Sequence, residues 1–324
     1  MPRLPRLAAT ASAALALAVL GAGPATAHEP TVSNPRIVAH FDLGAGQTPE
    51  SIALAPDGSA VLSFAFARQV AHVTPQGVIT RLVDLPAVTS PATPIIGVAA
   101  ATGLARAKDG TVYVNYATGT EEENGVWRIP ADGGAPVRLA ALPPNGFPNG
   151  LALDEKCGVL YAADSVLGTV WRVPLDGSTP TAWATGTALE RLPAPDGFVG
   201  ANGIKVHKGA VWVSNTDRKT LLRIPVGDDG TAGPTEVRAT GLNWIDDFAF
   251  TGHGDHVVAA LIGEDQLALV RPDGTHKIVL TERDGLDNPT SAAVRKGTLY
   301  VASAAFLSQG DPNLLLADID KKHK

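Results

Sequence analysis

PNGLALDEKCGVLYAADSVLGTVWRVPLDG, residues 148–177, holds the pattern that organises the whole chain. A polar residue, Asn149, opens a short apolar run, a Cys-Gly turn follows, and Val159–Ala163 forms a second apolar run. A third, VWRVP, ends in a basic residue, an aliphatic one and proline, and PTAWATG at 180–186 supplies a fourth. Runs this short, rich in Val, Leu, Trp and Tyr and separated by Gly and Asp turns, read as strands of one antiparallel sheet. The opening motif recurs as PESIALAPDG at 49–58, ATGLARAKDG at 101–110, ANGIKVHKG at 201–209, IDDFAFTGHGD at 245–255 and PTSAAVRKG at 289–297.

Aligned on the polar residue, the six copies place Glu50, Thr102, Asn149, Asn202, Asp246 and Thr290 in register, 52, 47, 53, 44 and 44 residues apart. Four short strands in a unit of about 40–50 residues predict a propeller blade. The sequence therefore predicts an all-β, six-bladed β-propeller with four antiparallel strands per blade. The sixth copy runs out after its third strand, NLLLADID at 313–320, while RIVAHFDL at 36–43 belongs to no copy. Residues 36–43 are expected to supply the missing outer strand, closing the ring and hiding two sheet edges.

Composition agrees. Gly (34) and Pro (25) are plentiful, as many tight turns require, and 45% hydrophobic residues with 18% charged argue for a packed globule. A net charge of −6 argues against nucleic acid as a partner, since phosphate binding needs a basic face. The single cysteine, Cys157, excludes an internal disulfide framework and a zinc ribbon. Arg3 and Arg6, the apolar run from Leu7 to Val19 and the small-residue site Ala25-Thr26-Ala27 read as a secretory signal peptide over residues 1–27. Its removal takes the net charge from −6 to −8 and leaves residues 28–324 as one propeller domain, secreted or extracytoplasmic, with no membrane attachment. The oligomeric state is not legible.

Inner strands of a propeller line its central channel, so the six opening residues should meet around the axis. Each carries a side-chain oxygen. Two carboxylates, Glu50 and Asp246, and two amides, Asn149 and Asn202, suit a hard cation taking six to eight oxygens. Ca²⁺ is favoured over Mg²⁺ because the ring is wide, with another divalent cation as the alternative. No cluster of His or Cys favours zinc or copper. Thr102 and Thr290 read as pocket walls or hydrogen-bond donors, and Trp127, Trp171 and Trp212 as packing between blades. The long connections Pro86–Ala99 and Ala188–Gly200 enter inner strands at the mouth and are expected to shape a pocket. His253 and His256, flanking a Gly-Asp turn, are expected to be exposed.

PESIA, PNGLALD, GANGIKV and IDDFAF, opening successive inner strands, together resemble the SMP-30/gluconolactonase-like calcium propellers, whose wider group includes diisopropyl-fluorophosphatase-like and paraoxonase-like hydrolases. The resemblance spans about Arg36 to Asp320 and is most specific in the order Glu, Asn, Asn, Asp of blades one, three, four and five. It implies that Glu50, Asn149, Asn202 and Asp246 are calcium ligands, and that the protein hydrolyses lactones, esters or phosphotriesters of a small-molecule substrate. Asp246 would be the base or nucleophile and Glu50 mainly a metal holder. Two features depart from the gluconolactonase branch. The first carboxylate stands in Pro49-Glu50-Ser51 rather than in a Gly-Glu-Gly/Ala-Pro context, and the chain has no equivalent of that branch's sugar-contacting arginine. Asp247 follows Asp246, and the sequence alone does not say which faces the ion. The alternative is a non-catalytic binding or scaffold propeller with a structural axial ion. A quinone-dependent sugar dehydrogenase would need a basic cofactor floor that the six opening residues do not supply.

Overall fold

The computed structural model describes residues 29–320. Residues 1–28, which include the expected leader, lie outside the described residues.

Six four-stranded antiparallel sheets surround a common axis. The chain enters through β1 (Val32–His40). Blade one is β2 (Pro49–Leu54), β3 (Ala60–Phe64), β4 (Gln69–Val73) and β5 (Ile79–Asp84); blade two is β6 (Ala100–Arg106), β7 (Val112–Ala117), β8 (Gly125–Ile129) and β9 (Val137–Ala141). Blade three is β10 (Pro148–Asp154), β11 (Val159–Asp164), β12 (Thr169–Pro174) and β13 (Thr181–Thr185); blade four is β14 (Ala201–His207), β15 (Ala210–Asn215), β16 (Thr220–Pro225) and β17 (Glu236–Ala239). Blade five is β18 (Ile245–Phe250), β19 (Val257–Leu261), β20 (Gln266–Val270) and β21 (His276–Leu280). Blade six combines β22 (Pro289–Arg295), β23 (Thr298–Ser303) and β24 (Asn313–Ile319) with β1, in the order β22-β23-β24-β1.

The expected closure by the N-terminal strand is therefore present. β1 pairs with β24 from Val32↔Ile319 to His40↔Asn313. Next to the seam, Thr31 N–H donates to Asp320 Oδ1 at 2.8 Å and Asp320 N–H donates to the Thr31 carbonyl at 3.0 Å.

Alternation along each strand sends apolar side chains toward the neighbouring blade, so the core is six cores, one in each gap. Leu62 and Phe64 of blade one pack with Leu314 and Leu316 of blade six, and Tyr161 and Val170 of blade three pack with Ile204 and Val213 of blade four. Trp127 lies between blades one and two, Trp171 between two and three, and Trp212 between four and five. Since each blade buries its faces against two neighbours, no blade has a core of its own.

Buried hydroxyls tie the inner strands around the axis. Ser63 Oγ donates to the Thr102 carbonyl (2.6 Å), Thr102 Oγ1 to Pro148 (2.8 Å), Ser165 Oγ to Ala201 (2.7 Å), Thr216 Oγ1 to Ile245 (2.7 Å) and Thr290 Oγ1 to Pro49 (2.8 Å). Each bond crosses from one blade to the next. Thr102 and Thr290 are thus donors, as expected, and their partners are backbone carbonyls.

One side-chain expectation fails. His253 is exposed, but His256 is 4% exposed, and its Nδ1 lies 2.8 Å from the carbonyl oxygen of His253. The turn folds back over its second histidine instead of presenting it to water.

Candidate axial site

The six aligned residues meet for a reason the repeat alone does not reveal. In every blade the pairing of the inner strand with its neighbour breaks at the aligned position. The register shifts lie between Pro49 and Ser51, Ala101 and Leu104, Pro148 and Leu151, Ala201 and Ile204, Ile245 and Phe248, and Pro289 and Ser291. A bulge leaves a residue out of the ladder and re-aims its side chain. Here it frees Glu50, Thr102, Asn149, Asn202, Asp246 and Thr290 from regular pairing. Glycine lets the bulged strands crowd the axis: a Cβ at Gly150 would overlap the Asn202 carbonyl, and one at Gly203 would overlap Asp247.

Five of the six residues, all but Thr290, line a cavity of about 250 Å³ at the mouth of the channel. Its floor is polar. Asn149 Nδ2 donates to Ser165 Oγ at 3.1 Å, and Asn202 Nδ2 to Thr216 Oγ1 at 3.0 Å. Those hydroxyls are themselves fixed by the carbonyls of the next blade, so the amides are held by groups that cannot swing away. Neither amide oxygen accepts a hydrogen bond from a described residue. Just ahead of Asn149, buried Asp164 accepts the N–H groups of Phe147, Val166 and Leu167 and so pins the entry to β10.

The two carboxyls are under electrostatic strain. Glu50 Oε2 is fully shielded and has no hydrogen-bond partner. Burial, and then the charge of Asp247, push the Glu50 carboxyl up to about 8. Asp246 is 5% exposed and is also pushed well above the usual carboxylate range, by burial first and then by Glu50 and Asp247. The Asn202 amide and Lys205 oppose that rise without cancelling it.

Asp247 has a different role. Both of its oxygens take Lys205 Nζ, at 2.6 and 2.5 Å, and it lines only a small space beneath the floor, whereas Asp246 lines both that space and the mouth cavity. The question left open by Asp246-Asp247 is answered by this lysine: Asp247 carries its own cation and Asp246 faces the mouth.

The residues present fit a hard divalent ion. They supply oxygen donors only: a carboxylate oxygen without a partner, a second buried carboxylate, and two amide oxygens left free. Among the described residues no three His, Cys, Asp or Glu side chains form a metal set by themselves, so the amides are essential to any such site.

Sequence reasoning missed the rim. Phe66, Phe147, Phe198, Trp244 and Phe306 stand over the polar floor, joined by Ile95 and Ile96. Trp244 and Phe198 remain 47% and 50% exposed. Ile95 and Ile96 come from the connection after β5, and Phe198 and Val199 from the one after β13, so both long loops reach the pocket as expected. Trp244 is held at φ 51° directly before β18, and Gly263 lies against its ring. Lys205, Ser165 and Thr216 were also not foreseen, because their roles depend on contacts between blades.

No protein-family model and no curated protein matches the sequence. The fold is shared with solved structures at low identity. A gluconolactonase-like protein superposes with TM-score 0.63 at 16% identity, covering 90% of this chain and 94% of that one. The PQQ-bound aldose sugar dehydrogenase of Streptomyces coelicolor gives 0.63 at 18%, covering 90% and 99%. Virginiamycin B lyase of Staphylococcus aureus gives 0.58 at 13%, covering 91% and 100%. At such identities the likeness is one of fold, and the chemistry has to be argued from the site.

Proposed function

We propose that this chain is an exported, calcium-dependent hydrolase of lactone, ester or phosphotriester bonds, with Glu50, Asn149, Asn202 and Asp246 as the metal-holding set. The observation that carries the reading is the fully shielded, unpartnered Glu50 Oε2 close to a second strained carboxyl and two free amide oxygens. A buried carboxylate left this way is costly unless a cation meets it. Calcium bound there would supply Lewis acidity toward a carbonyl or phosphoryl oxygen. The chain supplies the rest. Asp246, facing the mouth, accepts the proton of an attacking water or attacks directly. Glu50 holds the metal, Lys205 keeps Asp247 out of that role, and the aromatic rim excludes bulk water and grips the apolar part of the substrate. Export rests on the leader-like residues 1–27.

Metal analysis of the purified protein, with hydrolysis of lactone, aryl ester and phosphotriester panels before and after chelation, tests the reading. Asp246→Asn and Glu50→Gln should each lower turnover by at least about 100-fold, and Glu50→Gln should also weaken calcium binding. Unchanged calcium affinity and unchanged hydrolysis in both variants would refute it. Calcium binding without turnover of any panel member would favour a binding propeller with a structural ion. The sugar dehydrogenase relative does not draw the reading toward redox chemistry, because the floor residues described above include no basic side chain to hold an anionic quinone.

A further inference from the structure

Beside the axial mouth, sharing Phe66 as a wall, lies a second cavity of about 460 Å³. Val88 and Pro91 of the loop after β5 line it, with Val98 and Ala99 ahead of β6, and Arg68 is its one charged residue. Arg68 sits in the turn between β3 and β4 with φ 55° and is half-buried. Its Nε is fully shielded without a hydrogen-bond partner, and the guanidinium forms no ion pair with any described carboxylate. Its neighbour Tyr116 is neutral: the phenol donates to the Pro86 carbonyl at 2.7 Å and its oxygen faces Arg68, so it offers the guanidinium a dipole but no charge.

A half-desolvated guanidinium with no ion-pair partner among the described residues, set in an apolar hollow, is matched by a carboxylate or similar anion on a hydrocarbon body. The other cavity at the rim shows the contrast. There Lys219 shares the lining with two carboxylates, Asp196 and Asp217, whereas the Arg68 cavity has no acidic residue in its lining. We propose that the Arg68 cavity is a binding site for the anionic end of an amphipathic carboxylate. If the hydrolase reading holds, on which this second step rests, the favoured substrates are esters or lactones whose acyl part carries a terminal carboxylate. The acyl chain would pass Phe66, with the scissile bond at the axis and the free carboxylate at Arg68.

The binding step is tested without turnover. Calorimetry on the metal-stripped full-length protein compares 1-naphthoate with its neutral isostere 1-naphthamide. Wild type should bind the anion about 10-fold or more tightly than the amide, as a charge-assisted contact predicts. Arg68→Met should lose that preference, and Arg68→Lys should keep part of it, with thermal melting confirming that each variant is folded. Equal affinities in the wild type, no measurable binding of naphthoate, or a preference that survives in Arg68→Met would each overturn the proposal. If Arg68→Met does not fold, Arg68→Gln takes its place under the same criteria. With calcium present, kcat/KM for the 4-nitrophenyl half-ester of adipic acid should exceed that for 4-nitrophenyl hexanoate in an Arg68-dependent way. An Arg68-dependent binding preference with no turnover anywhere would sink only the hydrolase reading; calcium-dependent turnover without the preference would sink only this site.

Discussion

If the axial site holds calcium as proposed, removing it should cost more stability the higher the pH, and the size of the effect follows from Glu50. Its carboxyl rises from an ordinary 4.5 to about 8 because it is buried beside Asp247. At about 1.4 kcal/mol per pKa unit that rise is worth at most about 5 kcal/mol. The sign is set by the protonated form, which the fold prefers. The contribution to stability is intact below about 4.5, falls as pH climbs toward 8, and is gone above it. Asp246 and Asp247 shift in the same direction and add to the trend. A bound divalent cation favours the ionised carboxylates and removes the penalty, so its stabilising effect should grow over the same interval. Differential scanning calorimetry of metal-stripped protein, with and without millimolar calcium, reads this directly. At about pH 8.5 calcium should raise Tm by on the order of 10 °C, and at about pH 5 by less than half as much. In Glu50→Gln much of the pH dependence should vanish, because the strained group no longer ionises. The reasoning fails if the calcium increment is equal at the two pH values, or if metal-stripped protein is more stable at the higher one.

Three further outcomes follow from the packing of the inner strands. Ser165→Ala removes both the bond to the Ala201 carbonyl and the anchor of the Asn149 amide; it should lower stability by about 1–3 kcal/mol in denaturant titrations and weaken calcium affinity as well. Gly150→Ala should destabilise more strongly, because its methyl group meets the Asn202 backbone, and circular dichroism melting would show the loss. Lys205→Met leaves Asp247 without its cation beneath the floor, so the pH limb of any hydrolytic activity should move upward as the carboxyls resist ionisation further.

The architecture was legible because a propeller repeats its hydrophobic pattern with its geometry. Blade number, strand content and the use of the first strand to close the last blade all follow from six copies of one motif and one leftover strand. The floor residues were legible too, since Glu50, Asn149, Asn202 and Asp246 hold equivalent places in that motif. The chemistry around them was not. Which of two adjacent aspartates faces the mouth is decided by Lys205, which sits in the preceding blade, 42 residues before Asp247. Which way each floor side chain points is decided by a bulge that leaves no mark in the hydrophobic pattern. The aromatic rim comes from connecting loops that share no repeat, so Phe66, Phe198 and Trp244 read as scattered residues until the fold brings them together. His256 failed for a related reason: a turn residue was read as solvent-facing when the turn itself covers it.

The seam in blade six also governs the order in which the ring can be completed. β1 is made first yet has no edge to join until β24 exists, some 280 residues later. Five blades can assemble on one another while synthesis proceeds, but the circle stays open until its final strand arrives. Because Thr31 and Asp320 end up bonded side by side, a short linker between them and a cut in an outer turn of another blade should yield a permuted chain with the same floor. That recut protein would show whether the late seam or the blades themselves pace folding.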